Sequence, residues 1–207
     1  MYIQLLTHQN MDIDGMARGY HPGDWVDIGK QSALALIARG DARAVEPVKF
    51  EAHPKAGIVL TGSAAQGKKH LARLQVEMAT EEGQPRLEYE RTIIWDAAVP
   101  LRVDLLTPGL AFLDKWEICV PLLSYTTLAR DVGTAEERAA TEAVIRDLRV
   151  PLYDTRLMFV RRCEATQRLF ELWQGSTGDS KLAFLRALYT VKPIVLALPI
   201  TWAGSKP

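Results

Sequence analysis

The chain has little cysteine, since only Cys119 and Cys163 occur among its 207 residues. Two cysteines cannot form the disulfide framework that stabilises many small secreted domains. Their spacing also lacks the close pairing that is typical of structural zinc sites. We therefore expect two reduced, partly buried thiols in a cytoplasmic protein.

Neither sign of charge predominates, and the sequence has no long apolar run. Lys plus Arg and Asp plus Glu number 25 each, so no overall field favours nucleic acid or an anionic membrane. No apolar run approaches the roughly 18 residues that a membrane-spanning helix needs. The first ten residues include the polar Gln4, His8 and Gln9, unlike the apolar centre of a signal peptide. We expect no nucleic-acid partner and no membrane span.

The sequence does have the composition of an ordinary globular protein, with 48% hydrophobic and 24% charged residues. From residue 55 onward, short apolar runs alternate with amphipathic stretches, as strands alternate with helices. Strands are predicted at 55–61, 91–95, 118–123, 157–160 and 194–198. Helices are predicted at 68–80, 108–116, 135–148, 163–173 and 181–189. This alternation predicts an α/β domain over residues 55–207 with a mainly parallel or mixed sheet.

Residues 1–48 are predicted to form a separate small α+β module. Strands near residues 1–6 and 25–28 precede a helix over Lys30–Ala38, which ends before Gly40, and residues 42–45 return as a strand. The order is ββαβ. The segment resembles small modules of phage head and other virion-associated proteins. The resemblance is carried by an ordered pattern of tyrosine, Pro-Gly-Asp, a short strand, a helix and Gly-x-Ala. A generic ββαβ adaptor is the alternative.

A glycine-rich segment follows the first strand of the larger domain. Gly62 to Lys68 reads Gly-Ser-Ala-Ala-Gln-Gly-Lys, and a phosphate-binding loop would continue with Ser or Thr where this chain has Lys69. In such a loop, backbone N–H groups and a helix N-terminus bind the phosphates, and Lys68 would reach the terminal one. The segment predicts either a nucleotidase site that includes Gly62 and Lys68 or a strand-to-helix turn with only structural duties.

The strand at 91–95 delivers a carboxylate, Asp96, to its carboxyl end. Open α/β sheets bind ligands at the carboxyl ends of their strands. Oxygen ligands suit Mg²⁺ and Mn²⁺. Asp96 is therefore the candidate metal ligand of this sequence.

Several segments in order resemble the GT-A type of glycosyltransferase, the nucleotide-diphospho-sugar transferase family. The resemblance is carried by residues 89–96, 108–120, 153–162, 163–173, 178–189 and 196–202. The segment ending in Asp96 corresponds to the strand that leads to the family's Asp-x-Asp metal motif. Ala98 stands in place of the second aspartate of that motif, so the motif is degenerate in this chain.

The resemblance implies a GT-A type sheet, a nucleotide-diphospho-sugar as donor, and Mg²⁺ or Mn²⁺ held weakly by Asp96. It implies that Asp154 and Asp179 face the acceptor or the donor sugar as candidate catalytic residues. Arg156 would steady the charge of the phosphates through bidentate contacts, with a surface charge as the alternative. The acceptor is not identified by these residues.

Three functions remain open from the sequence. The first is a glycosyltransferase-like protein with impaired or lost catalysis. The second is a non-catalytic structural or assembly protein that reuses the fold, with a virion or a homo-oligomer as its setting. The third is a nucleotidase of the phosphate-loop type.

Overall fold

A computed structural model describes residues 2–13, 16–20, 25–44, 55–73, 79–82, 87–99, 101 and 103–203. The chain divides into two compact units, Met1–Lys49 and Phe50–Pro207. The Pro-Gly-Asp of the pattern that resembles virion-associated modules, residues 22–24, and residues 49–54 between the two predicted domains lie outside the described residues. All of the candidate site residues belong to the second unit.

The first unit pairs short strands around a small apolar core. Its strands are β1 (Tyr2–Leu5), β2 (Gln9–Ile13), β3 (Met16–Tyr20), β4 (Trp25–Asp27) and β5 (Ala42–Ala44), with helix α1 at Lys30–Ala38. Strand β1 pairs antiparallel with β4 and β5, and β2 pairs with β3 as a hairpin. Helix α1 has the predicted bounds. The hairpin was not predicted, so the described order differs from ββαβ.

Among the described residues, the second unit contains a six-stranded sheet. Its strands are β6 (Ala56–Thr61), β7 (Ala79–Glu82), β8 (Arg91–Asp96), β9 (Ile118–Pro121), β10 (Leu157–Arg161) and β11 (Val195–Leu198). Their order across the sheet is β11-β9-β10-β8-β6-β7. The α/β class predicted from the alternation of apolar runs is confirmed, and the sheet is mixed.

Helices connect these strands and cover the sheet. They are α2 (Ala64–Arg73), α3 (Val103–Phe112), α4 (Ala135–Ile145), α5 (Glu164–Gln174) and α6 (Ser180–Val191). One core cluster packs Phe170 of α5 and Phe184 of α6 with residues on one face of the sheet, among them Val59, Ile94 and Met158. This sheet face also carries Asp96, because side chains two residues apart along a strand point to the same face.

The direction of β10 differs from that of its neighbours. Strand β10 is antiparallel to both β8 and β9, whereas the β6–β8, β6–β7 and β9–β11 pairs are parallel. The amino end of β10 therefore lies at the edge of the sheet where β6, β8, β9 and β11 have their carboxyl ends. This edge, called the carboxyl edge below, collects residues that are distant in the sequence.

The largest differences from the predicted helix bounds are at α2 and α3. Helix α2 begins at Ala64 rather than residue 68, and Thr80, predicted at a helix end, lies in strand β7. Helix α3 begins at Val103 and contains Pro108 in its interior, although Pro108 was expected to begin it. Helix α4 begins at the predicted residue 135 and has a capping box: Glu137 N–H donates to Thr134 Oγ1, and Thr134 N–H donates to Glu137 Oε2.

None of the helices in the described residues has the length and apolar character needed to cross a membrane.

The two cysteines occupy different environments, which predicts selective labelling. Cys119 is buried in β9, and burial raises the pKa of its thiol to about 12, whereas Cys163 precedes α5 and is only partly buried. Because the thiolate is the reactive form, iodoacetamide at pH 8 should modify Cys163 in the folded protein and spare Cys119. Peptide mass spectrometry measures both, and denaturant should make both reactive. Equal native labelling would contradict the buried position of Cys119.

Candidate functional site at the carboxyl edge of the sheet

Asp96 lies in a hydrogen-bonded turn at the end of β8. Its Oδ1 accepts the backbone N–H of Ala98 at 2.9 Å, and its carbonyl accepts the N–H of Val99 at 2.9 Å. The buried Trp95 closes the turn, because its Nε1–H donates to the carbonyl of Val99 at 2.8 Å. Ala98, where the metal motif has its second aspartate, therefore contributes a backbone N–H to Asp96 and no carboxylate.

The neighbouring strand β6 makes room for the Asp96 carboxylate. Thr61 is the register partner of Asp96 in the parallel β6–β8 pair, and Gly62 follows it with a φ of +74°. A Cβ at Gly62 would lie 2.7 Å from Asp96 Oδ1. Gly62 is thus required by both its backbone conformation and the close approach of Asp96.

Strand β10 brings Arg156 beside Asp96. Leu157 is the register partner of Trp95, and the N–H of Asp96 donates to the carbonyl of Arg156 at 2.7 Å. Arg156 and Asp96 are therefore cross-strand neighbours at the carboxyl edge. The pKa of Arg156 is raised mainly by its hydrogen bonds to Asp154, and the charge of Asp96 adds a smaller contribution in the same direction.

Asp154 holds the Arg156 guanidinium in a bidentate ion pair. Arg156 Nε donates to Asp154 Oδ1 at 2.8 Å, and Nη2 donates to Oδ2 at 2.6 Å. Asp154 is only 2% exposed, whereas the Arg156 side chain is 47% exposed. These hydrogen bonds are the main cause that raises the pKa of Arg156, so the guanidinium remains charged over the working pH range of proteins.

The structure thus brings together Gly62, Asp96, Asp154 and Arg156 of the predicted site residues. Both carboxylate oxygens of Asp154 are occupied by Arg156, and Ala98 provides no oxygen ligand from its side chain. Among the described residues, no group of three or more His, Cys, Asp and Glu side chains is arranged to hold a metal ion. The residues present therefore do not fit the metal site that the family resemblance implies.

The glycine-rich segment adopts a different structure from a phosphate-binding loop. Helix α2 begins at Ala64, so only Gly62 and Ser63 separate it from β6. Gly67 lies inside the helix, where a Cβ would be 2.9 Å from Leu60. Lys68 forms an ion pair with Glu82. Close packing explains Gly67, and the two-residue turn lacks the length to wrap around a phosphate chain.

Asp179 serves as the N-cap of α6. Its side chain accepts the N–H groups of Lys181 at 2.8 Å and Leu182 at 3.1 Å, and its own N–H donates to Glu137. The N–H groups of Thr134 and Asp179 together lower the pKa of Glu137. In the described part of the chain, no interaction joins Asp179 to the Asp96–Asp154–Arg156 cluster.

The pairing of Asp154 with Arg156 and the position of Thr61 were not predicted from the sequence. The Asp-x-Arg spacing was a visible signal for the pairing, because it recurs at Asp147 and Arg149, where the same bidentate geometry forms. In the Asp147–Arg149 pair, both side chains are exposed. Spacing alone could not show that Asp154 is buried, and no local signal places Thr61 beside Asp96.

Comparison with known proteins adds little to this geometry. No family model matches the chain, and no curated protein matches it. Among solved structures, it is similar to a protein assigned by inference as a nucleotide-diphospho-sugar transferase, from Desulfovibrio desulfuricans G20, with 15% sequence identity and a TM-score of 0.35. The match covers 70% of this chain and 58% of that one. A likeness this low does not establish a shared fold.

The two Asp-x-Arg pairs offer a matched test of the buried carboxylate. We expect Asp154→Ala to lower the free energy of unfolding by about 2 kcal/mol, because it removes charge-assisted hydrogen bonds made by a buried group. Asp147→Ala should have no measurable effect, since its pair is exposed. Urea unfolding followed by circular dichroism measures both. Equal effects of the two variants would show that the burial of Asp154 carries no energetic weight.

Proposed function

We propose that the chain is a glycosyltransferase-like protein that binds a nucleotide-diphospho-sugar at the carboxyl edge, with impaired or lost catalysis. The observation that carries the proposal is the convergence of Asp96, Asp154 and Arg156 from separate segments at this edge. Open α/β sheets bind their ligands at such an edge. The Arg156 guanidinium is held by the buried Asp154 while the Arg156 side chain remains partly exposed, so it is suited to contact a polar ligand.

The impairment follows from how the carboxylates are used. Asp154 is occupied by Arg156, Asp179 caps α6, and Ala98 replaces a carboxylate of the metal motif. Within the cluster, Asp96 keeps one carboxylate oxygen, Oδ2, that accepts none of the hydrogen bonds formed by the described residues. The proposal therefore assigns ligand contact to Asp96 and Arg156, and assigns structural roles to Asp154, Asp179 and Lys68.

The same observations favour a second candidate, a structural or assembly protein without a small-molecule ligand. If every charged group of the cluster serves only to hold β8 and β10 together, the carboxyl edge needs no occupant. The two functions differ in one measurable property, the binding of a nucleotide sugar.

Calorimetric titration of the full chain with UDP-glucose and GDP-mannose, in the presence of Mn²⁺, tests the proposal. We expect at least one of them to bind, and we expect Asp96→Ala to weaken the binding because it removes the partly exposed carboxylate of the cluster. Asp147→Ala is the matched control, since it removes an exposed carboxylate that pairs with Arg149 rather than with a residue of the cluster. It should leave the affinity unchanged.

Two results would count against the proposal. The absence of binding heat with both ligands would favour the structural protein. Binding with an affinity that Asp96→Ala leaves unchanged would favour it as well. Circular dichroism of each variant confirms that a loss of binding does not reflect a loss of folding.

A further inference from the structure

The charge of the carboxyl-edge cluster disfavours an anion as its direct ligand. Asp96 and Asp154 contribute two negative charges and Arg156 one positive charge, so the cluster carries one net negative charge. The guanidinium is already neutralised by Asp154 at hydrogen-bond distance. A diphosphate placed here would face the unneutralised Asp96. The charge balance therefore favours a neutral polar group over the phosphates.

The cluster also presents a hydrogen-bond acceptor beside a donor. Asp96 Oδ2 accepts none of the hydrogen bonds formed by the described residues, and Arg156 Nη1 donates to none of their acceptors. A hydroxyl group both donates and accepts. Adjacent hydroxyls of a sugar ring can therefore donate to Asp96 and accept from Arg156 at the same time.

Both groups are fixed before any ligand arrives. Ala98 N–H and the space above Gly62 set the position of the Asp96 carboxylate. The buried Asp154 sets the plane of the Arg156 guanidinium through two hydrogen bonds. Side chains that are already ordered lose little conformational entropy on binding, so the arrangement suits a weakly held neutral ligand.

We propose that Asp96 and Arg156 recognise the hydroxyl groups of a sugar ring as an acceptor–donor pair, and that they do so without a divalent ion. The inference rests on the proposed function and assigns the pair to the sugar of the nucleotide-diphospho-sugar rather than to its diphosphate. Asp154 is a positioning residue in this arrangement, because it acts only through Arg156.

Titration calorimetry of the full chain in EDTA, with sugar nucleotides compared with their own nucleoside diphosphates, tests this assignment. UDP-glucose and UDP-N-acetylglucosamine are compared with UDP, and GDP-mannose with GDP, each repeated with Mn²⁺. At least one sugar nucleotide should bind about tenfold more tightly than its diphosphate, the effect of hydrogen bonds to charged groups. Mn²⁺ should leave this difference unchanged.

Conservative variants locate the effect. Asp96→Asn retains an oxygen that can accept from Ala98 but loses the carboxylate charge, and Arg156→Lys loses the planar fork. Each should remove the preference for the sugar nucleotide while the weaker binding of the diphosphate persists. Arg149→Lys, at the exposed Asp147–Arg149 pair, is the control and should change neither affinity.

The outcomes separate this inference from the proposed function. Binding that appears only with Mn²⁺ would overturn the metal-independent recognition, and equal affinity for the diphosphate and the sugar nucleotide would overturn the assignment to the sugar. Both of those results would leave the proposed function standing. Failure of every ligand to bind, with and without Mn²⁺, would overturn both.

Discussion

The antiparallel strand β10 is the constraint on which the carboxyl edge depends. It lies between β8 and β9 and runs opposite to both, so its amino end meets their carboxyl ends. The segment that enters β10 therefore carries Asp154 and Arg156 to the end of β8, where Asp96 lies. A parallel strand in the same place would begin at the opposite edge, and the three charged groups would not meet. The site follows from the direction of one strand.

The buried carboxylate of Asp154 gives this arrangement its energetic character. Removing a carboxylate from water costs several kcal/mol, and an ion pair offsets that cost only with good geometry and further hydrogen bonds. Asp154 meets the condition through the bidentate contact with Arg156, with the Arg156 N–H as an additional donor at 3.2 Å. The pair contributes less to stability than its geometry suggests, but it fixes the guanidinium in one orientation at the surface.

Local patterns in the sequence predicted much of the fold and less of the site. Helix α1 has the predicted bounds Lys30–Ala38, and helix α4 begins at the predicted residue 135, because helix signals depend on neighbouring residues. The hairpin β2–β3 and strand β7 were missed. Their pairing partners are set by contacts outside the local window, and short strands have little periodicity of their own.

The glycine-rich segment shows why a motif needs its structural context. Gly67 matches a phosphate-binding loop in sequence, yet the helix that begins at Ala64 places it against Leu60. Because the helix begins before Gly67, this glycine packs inside the helix rather than lying in a loop that could bind phosphate.

The pairs Asp147–Arg149 and Asp154–Arg156 also show that a sequence pattern needs its structural context. They share one spacing and one bidentate geometry, but only Asp154 of the second pair is buried. The backbone N–H of Asp154 donates to the carbonyl of Pro121, which places Asp154 against the end of β9. The tertiary contacts that bury Asp154, rather than the Asp-x-Arg spacing, therefore hold the Arg156 guanidinium in one orientation beside Asp96. Because this oriented guanidinium lies at the carboxyl edge, ligand recognition is the property of this edge that experiments can test.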